Sequence, residues 1–218
     1  MSPSAPYRIV VLSSGDGTNL QNLIEFAARS NDHIRVSAVI SDHRSRSLTR
    51  ARNAGIDAYH LAAADFRDRD AFDAALGDVI ASRGPDLIVL SGFMRILGAA
   101  FVARFEGRII NIHPSLLPRF PGLDTHRRVL DSGDTAHGAT VHFVTEELDA
   151  GPGIIQCRIP VRAGDDEASL AARVHEVEYM IFPRAVQWCA TGLVSFANGR
   201  ALFDGLPMIG PVVLEHAS

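Results

Sequence analysis

The sequence predicts an α/β fold: a doubly wound, mostly parallel, Rossmann-like sheet with an antiparallel C-terminal portion. Three observations carry this. The run RIVVLS at 8–13 is apolar without alternation, as in a strand covered on both faces. Strand and helix patterns then alternate as β-α-β-α-β-α-β as far as residue 92, the order of right-handed parallel crossovers. Beyond residue 113 this alternation stops. Strand patterns at 140–145 and 154–161 are separated only by a polar turn, which predicts an antiparallel pair.

Each element has a local reason. After the first strand, Gly15-Asp16-Gly17-Thr18-Asn19 reads as a turn, and Leu20, Leu23, Ile24 and Ala27 then recur at helical spacing. VSAVI at 36–40 is the second strand, ending at Ser41 and Asp42. A helix over about 47–54 stops at Gly55, and AYHL at 58–61 is a short strand. Residues 68–82 show helical spacing and stop before Gly84-Pro85; LIVLSG at 87–92 is the fourth strand. RIINIH at 108–113 is the fifth, ended by Pro114, which has no N–H for a ladder. A long helix over 167–189 has Asp165 and Asp166 at its N-terminus, where carboxylates suit the helix dipole, and Pro183 to kink it. Residues 193–203 read as a small hairpin.

Of the 218 residues, 47% are hydrophobic and 21% charged, as in soluble globular chains with ample core. The net charge of -4 argues against wholesale nucleic-acid binding, which shows as a basic domain or stripe. No apolar run is long enough to span a membrane, and the polar residues 1–6 lack the apolar core of a signal peptide. Cys157 and Cys189 have no metal-ligand spacing and lie in apolar segments, so free thiols in a cytoplasmic protein are expected.

Four patterns could carry chemistry. The glycine turn at 15–17 opens a helix, where backbone N–H groups and the dipole suit a phosphate; the plainer reading is a tight turn capped by Thr18 or Asn19. With Asp42 after the second strand it also half-matches a dinucleotide fingerprint, but Leu20 occupies the third glycine's place. Asn111 and His113 are two apart on one strand, so they share a face. An amide and an imidazole aimed together suit a developing oxyanion; the plainer reading is a strand end with a satisfied histidine. Asp149 follows a strand in a turn and matters chemically only if it meets His113. Glu178 lies at or near the stripe Leu170, Val174, Val177 and Ile181, where a buried carboxylate needs a partner, or else faces water. No histidine pair has metal-ligand spacing, and Arg44, Arg46, Arg50 and Arg52 read as a solvated helix face.

The segments SGDGTNLQ at 14–21, SGFMRIL at 91–97, NIHPSLLP at 111–118 and GATVHFVTEELDAGP at 138–152 together resemble the phosphoribosylglycinamide formyltransferase family, folate-dependent enzymes of purine synthesis. The likeness runs in order from about residue 8 to 195. It implies a single formyltransferase domain over 1–218: a flexible lead at 1–7, a nucleotide-phosphate half over about 8–107, and a catalytic and folate half over about 108–218. The family's catalytic Asn, His and Asp fall on Asn111, His113 and Asp149. Gly17, Thr18 and Asn19 would hold the ribonucleotide phosphate and Glu178 would touch the same substrate. Arg69, Met94, Arg95, Ile96, Leu97, Asn111, Val144 and Asp149 would line the folate site. Some members differ at His175, which leaves its phosphate contact open. The implied cosubstrate is 10-formyltetrahydrofolate, with no metal. The partners are small molecules only, neither nucleic acid nor membrane, and the chain is expected as a monomer or weak homodimer.

Rival readings are separable. Methionyl-tRNA formyltransferase adds a C-terminal nucleic-acid-binding domain and formyltetrahydrofolate deformylase an N-terminal regulatory one, and neither is expected here. A nicotinamide-dependent oxidoreductase would use Gly15, Gly17 and Asp42. A nucleotide-sensing module would need the glycine loop without Asn111, His113 and Asp149.

Overall fold

β1 (Tyr7–Leu12) opens one residue ahead of the predicted strand, and its last four residues are buried. The structure, a computed structural model, describes residues 5–30 and 33–216. Of the lead expected over 1–7, residues 1–4 lie outside the described residues, and Tyr7 already belongs to β1. The chain divides after Ile110 into two compact units.

The first unit continues with α1 (Thr18–Arg29), β2 (Ile34–Ser41), α2 (Arg46–Asn53), β3 (Asp57–His60), a 3₁₀ turn at Ala63–Asp65, α3 (Arg69–Ser82), β4 (Leu87–Leu90) and α4 (Ala99–Arg104). Its strands lie in the order β4-β1-β2-β3, every pairing parallel. Their carboxyl ends therefore share one edge, where open α/β sheets bind ligands. Val10, Val11, Leu12, Ile88 and Val89 are buried, which explains the absence of alternation in their sequence. α1 and α2 pack on β2, and α2 also on β3.

The chain enters the second unit along β5 (Ile109–His113), followed by α5 (Thr125–Ser132), β6 (Ala136–Phe143), β7 (Gly153–Pro160), α6 (Glu167–Ala190), β8 (Val194–Ala197), β9 (Arg200–Phe203), β10 (Leu206–Pro207) and β11 (Val212–Glu215). Here the strand order is β11-β7-β6-β5. β6 and β7 are antiparallel as expected, although β6 starts four residues before the predicted strand. β11, an edge strand that the sequence reading did not anticipate, runs parallel to β7. The predicted hairpin is β8–β9, extended by β10 into a separate three-stranded antiparallel sheet. α6 packs over β6 and β7 and is assigned as one helix through Pro183. Its N-terminus is set by a capping box: Asp166 accepts from Ser169 N–H at 2.7 Å, and Ser169 Oγ accepts from Asp166 N–H at 3.0 Å. Among the described residues, no helix is long and apolar enough to cross a membrane.

Candidate active site

β5 carries Asn111 and His113 to its end, and the chain turns at once, with Ser115 N–H bonded to the His113 carbonyl at 2.8 Å. Thr140 holds the following loop: its Oγ1 donates to Ser115 O at 2.6 Å and accepts from Leu117 N–H at 3.1 Å. His113 is buried. Its Nδ1 lies 3.4 Å from Asp149 Oδ2 and its Nε2 3.0 Å from the Phe120 carbonyl. Both neighbours are acceptors, so an N–H on either ring nitrogen has a partner. The carbonyl is a departure from expectation: the second nitrogen is occupied by the chain itself.

Asp149 sits at φ 53, a left-handed conformation that Asp tolerates better than most residues. Its Oδ2 also accepts from Gly122 N–H at 2.8 Å. The loop that carries it is pinched at its neck. Phe143 N–H donates to Pro152 O at 3.0 Å, and a Cβ on Gly151 would lie 1.8 Å from the Phe143 carbonyl oxygen. Asn111 Nδ2 lies 3.2 Å from Nε2 of His142, whose Nδ1 lies 2.9 Å from the Phe143 carbonyl. Asp149 Oδ1 is 3.8 Å from the same Nε2. Burial holds the His142 ionisation below the ordinary histidine range, against the opposing pulls of the Phe143 carbonyl and Asp149. Asn111, His113 and Asp149 are thus brought together, with His142 as a fourth member.

In the first unit the glycine turn has its own geometry. Gly17 is the N-cap of α1 at φ 71 and makes no side-chain cap bond. A Cβ there would meet Ser47 Cβ at 2.8 Å, so α2 closes on the turn and only glycine fits. The N-cap position is thus Gly17 rather than Thr18 or Asn19, and a glycine offers no side chain to the first amides of α1. Arg44, Arg46 and Arg52 are exposed, as expected of a solvated face, and the half-buried Arg50 adds a contact: its Nε donates to the Asp16 carbonyl at 2.8 Å and braces the turn.

Residues 92–98, which carry the expected folate contacts, are tied down at both ends. Ser14 N–H donates to Gly92 O at 3.1 Å, and Met94 N–H donates to Ser14 Oγ at 3.1 Å. Ser14 Oγ in turn donates to Asp42 Oδ1 at 2.6 Å. At the other end Gly98 N–H donates to Asp73 Oδ2 at 2.7 Å. Burial pushes the Asp73 carboxyl up, opposed first by that N–H and then by Arg69, whose guanidinium borders Gly98. Met94 and Ile96 are exposed apolar side chains, Leu97 is buried, and the Arg95 guanidinium lies 4.8 Å over the Phe72 ring. Val144 is half-buried at the start of the Asp149 loop. Glu178 is buried among Val174, Val177 and Ile181, which settles the rotation of α6 that the sequence left open. His175 is exposed.

The formyl transferase family model matches residues 7–186. The chain belongs to the formyl transferase family. It is 48% identical over 198 residues to phosphoribosylglycinamide formyltransferase of Escherichia coli, covering 90% of this chain and 93% of that one. With the enzyme of the same name from Mycobacterium tuberculosis it shares 43% identity over 208 residues, covering 95% and 96%. The solved phosphoribosylglycinamide formyltransferase of Coxiella burnetii superposes with a TM-score of 0.92 at 43% identity, over 96% of this chain and 99% of that one.

Within this formyl transferase, sequence reasoning missed His142, Asp42 as an anchor, Asp73 and the Phe120 carbonyl. The Asp42 side chain is buried and engaged by Ser14 and, at 2.9 Å, by His43 Nδ1, and the family match, not this contact, sets the oxidoreductase reading aside. Asp73 had a signal, a carboxylate beside Phe72 on the face of α3 that also carries Leu76 and Ile80. His126 and His137 form a second pair, Nδ1 to Nε2 at 2.9 Å, with burial first and the neighbouring imidazole second holding His137 down to about 3. Among the described residues no group of three or more His, Cys, Asp or Glu is placed to hold a metal ion.

Proposed function

We propose that the chain transfers the formyl group of 10-formyltetrahydrofolate to the amine of N1-(5-phospho-D-ribosyl)glycinamide, yielding the N2-formyl product and tetrahydrofolate in de novo purine synthesis. The observation that carries this reading is the convergence of Asn111, His113 and Asp149 at the end of β5, in a chain of this family. The amine attacks the formyl carbon and a C–N bond forms. The carbonyl oxygen becomes negative, and an Asn111 N–H and the His113 imidazolium stabilise it. Collapse breaks the bond to N10 of the folate, and the proton lost by the amine reaches N10 with the help of Asp149 and His113. Among the described residues no serine or cysteine side chain is hydrogen-bonded to His113, His142 or Asp149, so direct transfer is the reading adopted. For His113 Nε2 to serve the oxyanion, the Phe120 carbonyl at 3.0 Å must give way to substrate.

Gly17, Thr18 and Asn19 bind the phosphate and Glu178 the glycinamide portion. Arg69, Met94, Arg95, Ile96, Leu97, Asn111, Val144 and Asp149 serve the folate. The enzyme works in the cytoplasm on small molecules as a monomer or weak homodimer, with the formyl folate as cosubstrate and no metal. The test is conversion of 10-formyltetrahydrofolate to tetrahydrofolate with and without the ribonucleotide. Turnover only with the ribonucleotide supports the transferase. Equal turnover without it identifies a deformylase and overturns the proposal.

A further inference from the structure

We infer that His142 is a positioning residue that fixes the side-chain amide of Asn111, so that an N–H and not the carbonyl oxygen faces the reacting formyl oxygen. The inference rests on the proposed formyl transfer and adds to it a residue that acts only through Asn111.

The chain of contacts starts at the backbone. β6 and β7 slip register here: Val141 faces Ile155, but His142 faces Gly153, so Ile154 is unmatched. Such a bulge re-aims the side chain beside it. The Phe143 carbonyl is held by the neck of the 144–149 loop, where Phe143 N–H reaches Pro152 O at 3.0 Å and Gly151 leaves no room for a Cβ. A carbonyl oxygen only accepts, so His142 Nδ1, 2.9 Å away, carries the ring proton. Burial disfavours a second proton, which leaves Nε2 as an acceptor. The atom that faces it, at 3.2 Å, is Asn111 Nδ2. A half-turn of the amide would set Oδ1 against a bare ring nitrogen, two acceptors with no proton between them, beside a His142 ring that is itself buried. The amide is therefore locked with one N–H on His142 and the other free for the oxyanion. A donor fixed before the reaction needs no reorganisation when charge develops.

Two other roles fit less well. His142 as the acid or base itself would have to use Nε2, which is engaged by the Asn111 amide and is 3.8 Å from Asp149 Oδ1. A ring that merely fills the core would affect folding but would not depend on what occupies position 111.

That last contrast is the test. In the full chain, kcat and KM for both substrates are measured for His142→Phe, Asn111→Ala and the double variant, with thermal unfolding as the control for folding. Removing the acceptor should lower kcat about 10- to 100-fold, as for a misplaced group, with both KM values within about threefold of wild type. The double variant should be no slower than Asn111→Ala alone. Multiplied losses in the double variant, or an unchanged kcat for His142→Phe, overturn the inference. A second readout needs no turnover: the two side-chain amide protons of Asn111 are followed by NMR. In wild type one of them should be shifted downfield by its imidazole partner, and in His142→Phe or, should that fold poorly, His142→Gln, that shift should be lost. Identical amide spectra would sink the positioning role even if transferase activity is confirmed. A chain inactive with the ribonucleotide but with the expected amide shift would sink the function alone.

Discussion

Asn111 and His113 contribute donors of different kinds: one neutral N–H, and one ring whose two nitrogens both face acceptors. Oxyanion donors act mainly in the transition state, so Asn111→Ala and His113→Ala should each lower kcat by about a hundred- to thousandfold while the KM values change little. Steady-state kinetics with both substrates checks this, and near wild-type turnover in either variant would remove that residue from the role. Asp149→Asn separates charge from shape. Asn also tolerates the left-handed conformation found at φ 53, so the turn survives while the carboxylate is lost. We expect turnover to fall by about a hundredfold or more, in the range of general acid–base and electrostatic contributions. A silent substitution would return Asp149 to turn chemistry. The pairing of Asn111 with His113 was legible because strand alternation alone puts residues two apart on one face. His142 was not, because its place depends on a register slip opposite Ile154 that leaves no mark in local sequence. Glu178 was half legible: helical spacing put it at the edge of the apolar stripe, and a rotation of a few tens of degrees decided the rest.

The turn before α1 works as a unit because α2 presses on it. Gly17→Ala forces a Cβ onto Ser47 at 2.8 Å in a left-handed conformation, so the turn must shift. Phosphate held there, as proposed, would be bound alike in the ground state and the transition state. The variant should therefore raise KM for the ribonucleotide by an order of magnitude or so, leave KM for the folate nearly unchanged, and change kcat little. A selective loss of folate binding in the same kinetic experiment would show that the turn serves the other substrate. The long or strongly apolar elements were readable in the sequence: β1, β2, β4, α1, α3 and α6. α4 was not, since six residues hold too few turns for a helical period to stand out, and neither was α5, although α2 of the same eight-residue length was. α5 begins after Asp124 at φ 55, without a side-chain cap. β11 was missed because its parallel partner, β7, lies more than fifty residues earlier in the chain.

For the whole molecule, three histidines held down by burial predict a loss of stability in acid. His137 is held at about 3 when folded, against about 6.5 in an unfolded chain, and burial lowers His126 and His142 too. The folded pKa is depressed, so this stability is fully present above about pH 6.5 and is lost as pH falls toward 3, where the unfolded chain binds protons that the folded one refuses. For His137 alone the loss is about 2 kcal/mol by pH 5. His137→Gln removes the titration. Urea unfolding at pH 7 and pH 5 should show a steep drop in wild type and a shallower one in the variant; parallel drops would place the acid sensitivity elsewhere. At this scale the parallel α/β class was legible from continuous apolar strands, whereas the parallel edge strand and the separate three-stranded sheet were not. The central claim is direct transfer at Asn111, His113 and Asp149. It is tested most directly by supplying 10-formyltetrahydrofolate labelled with ¹³C in the formyl group, together with the ribonucleotide, and following the label by NMR. Direct transfer puts the label on the glycinamide nitrogen, one equivalent for each tetrahydrofolate formed. Label appearing as free formate while the ribonucleotide stays unmodified would contradict it.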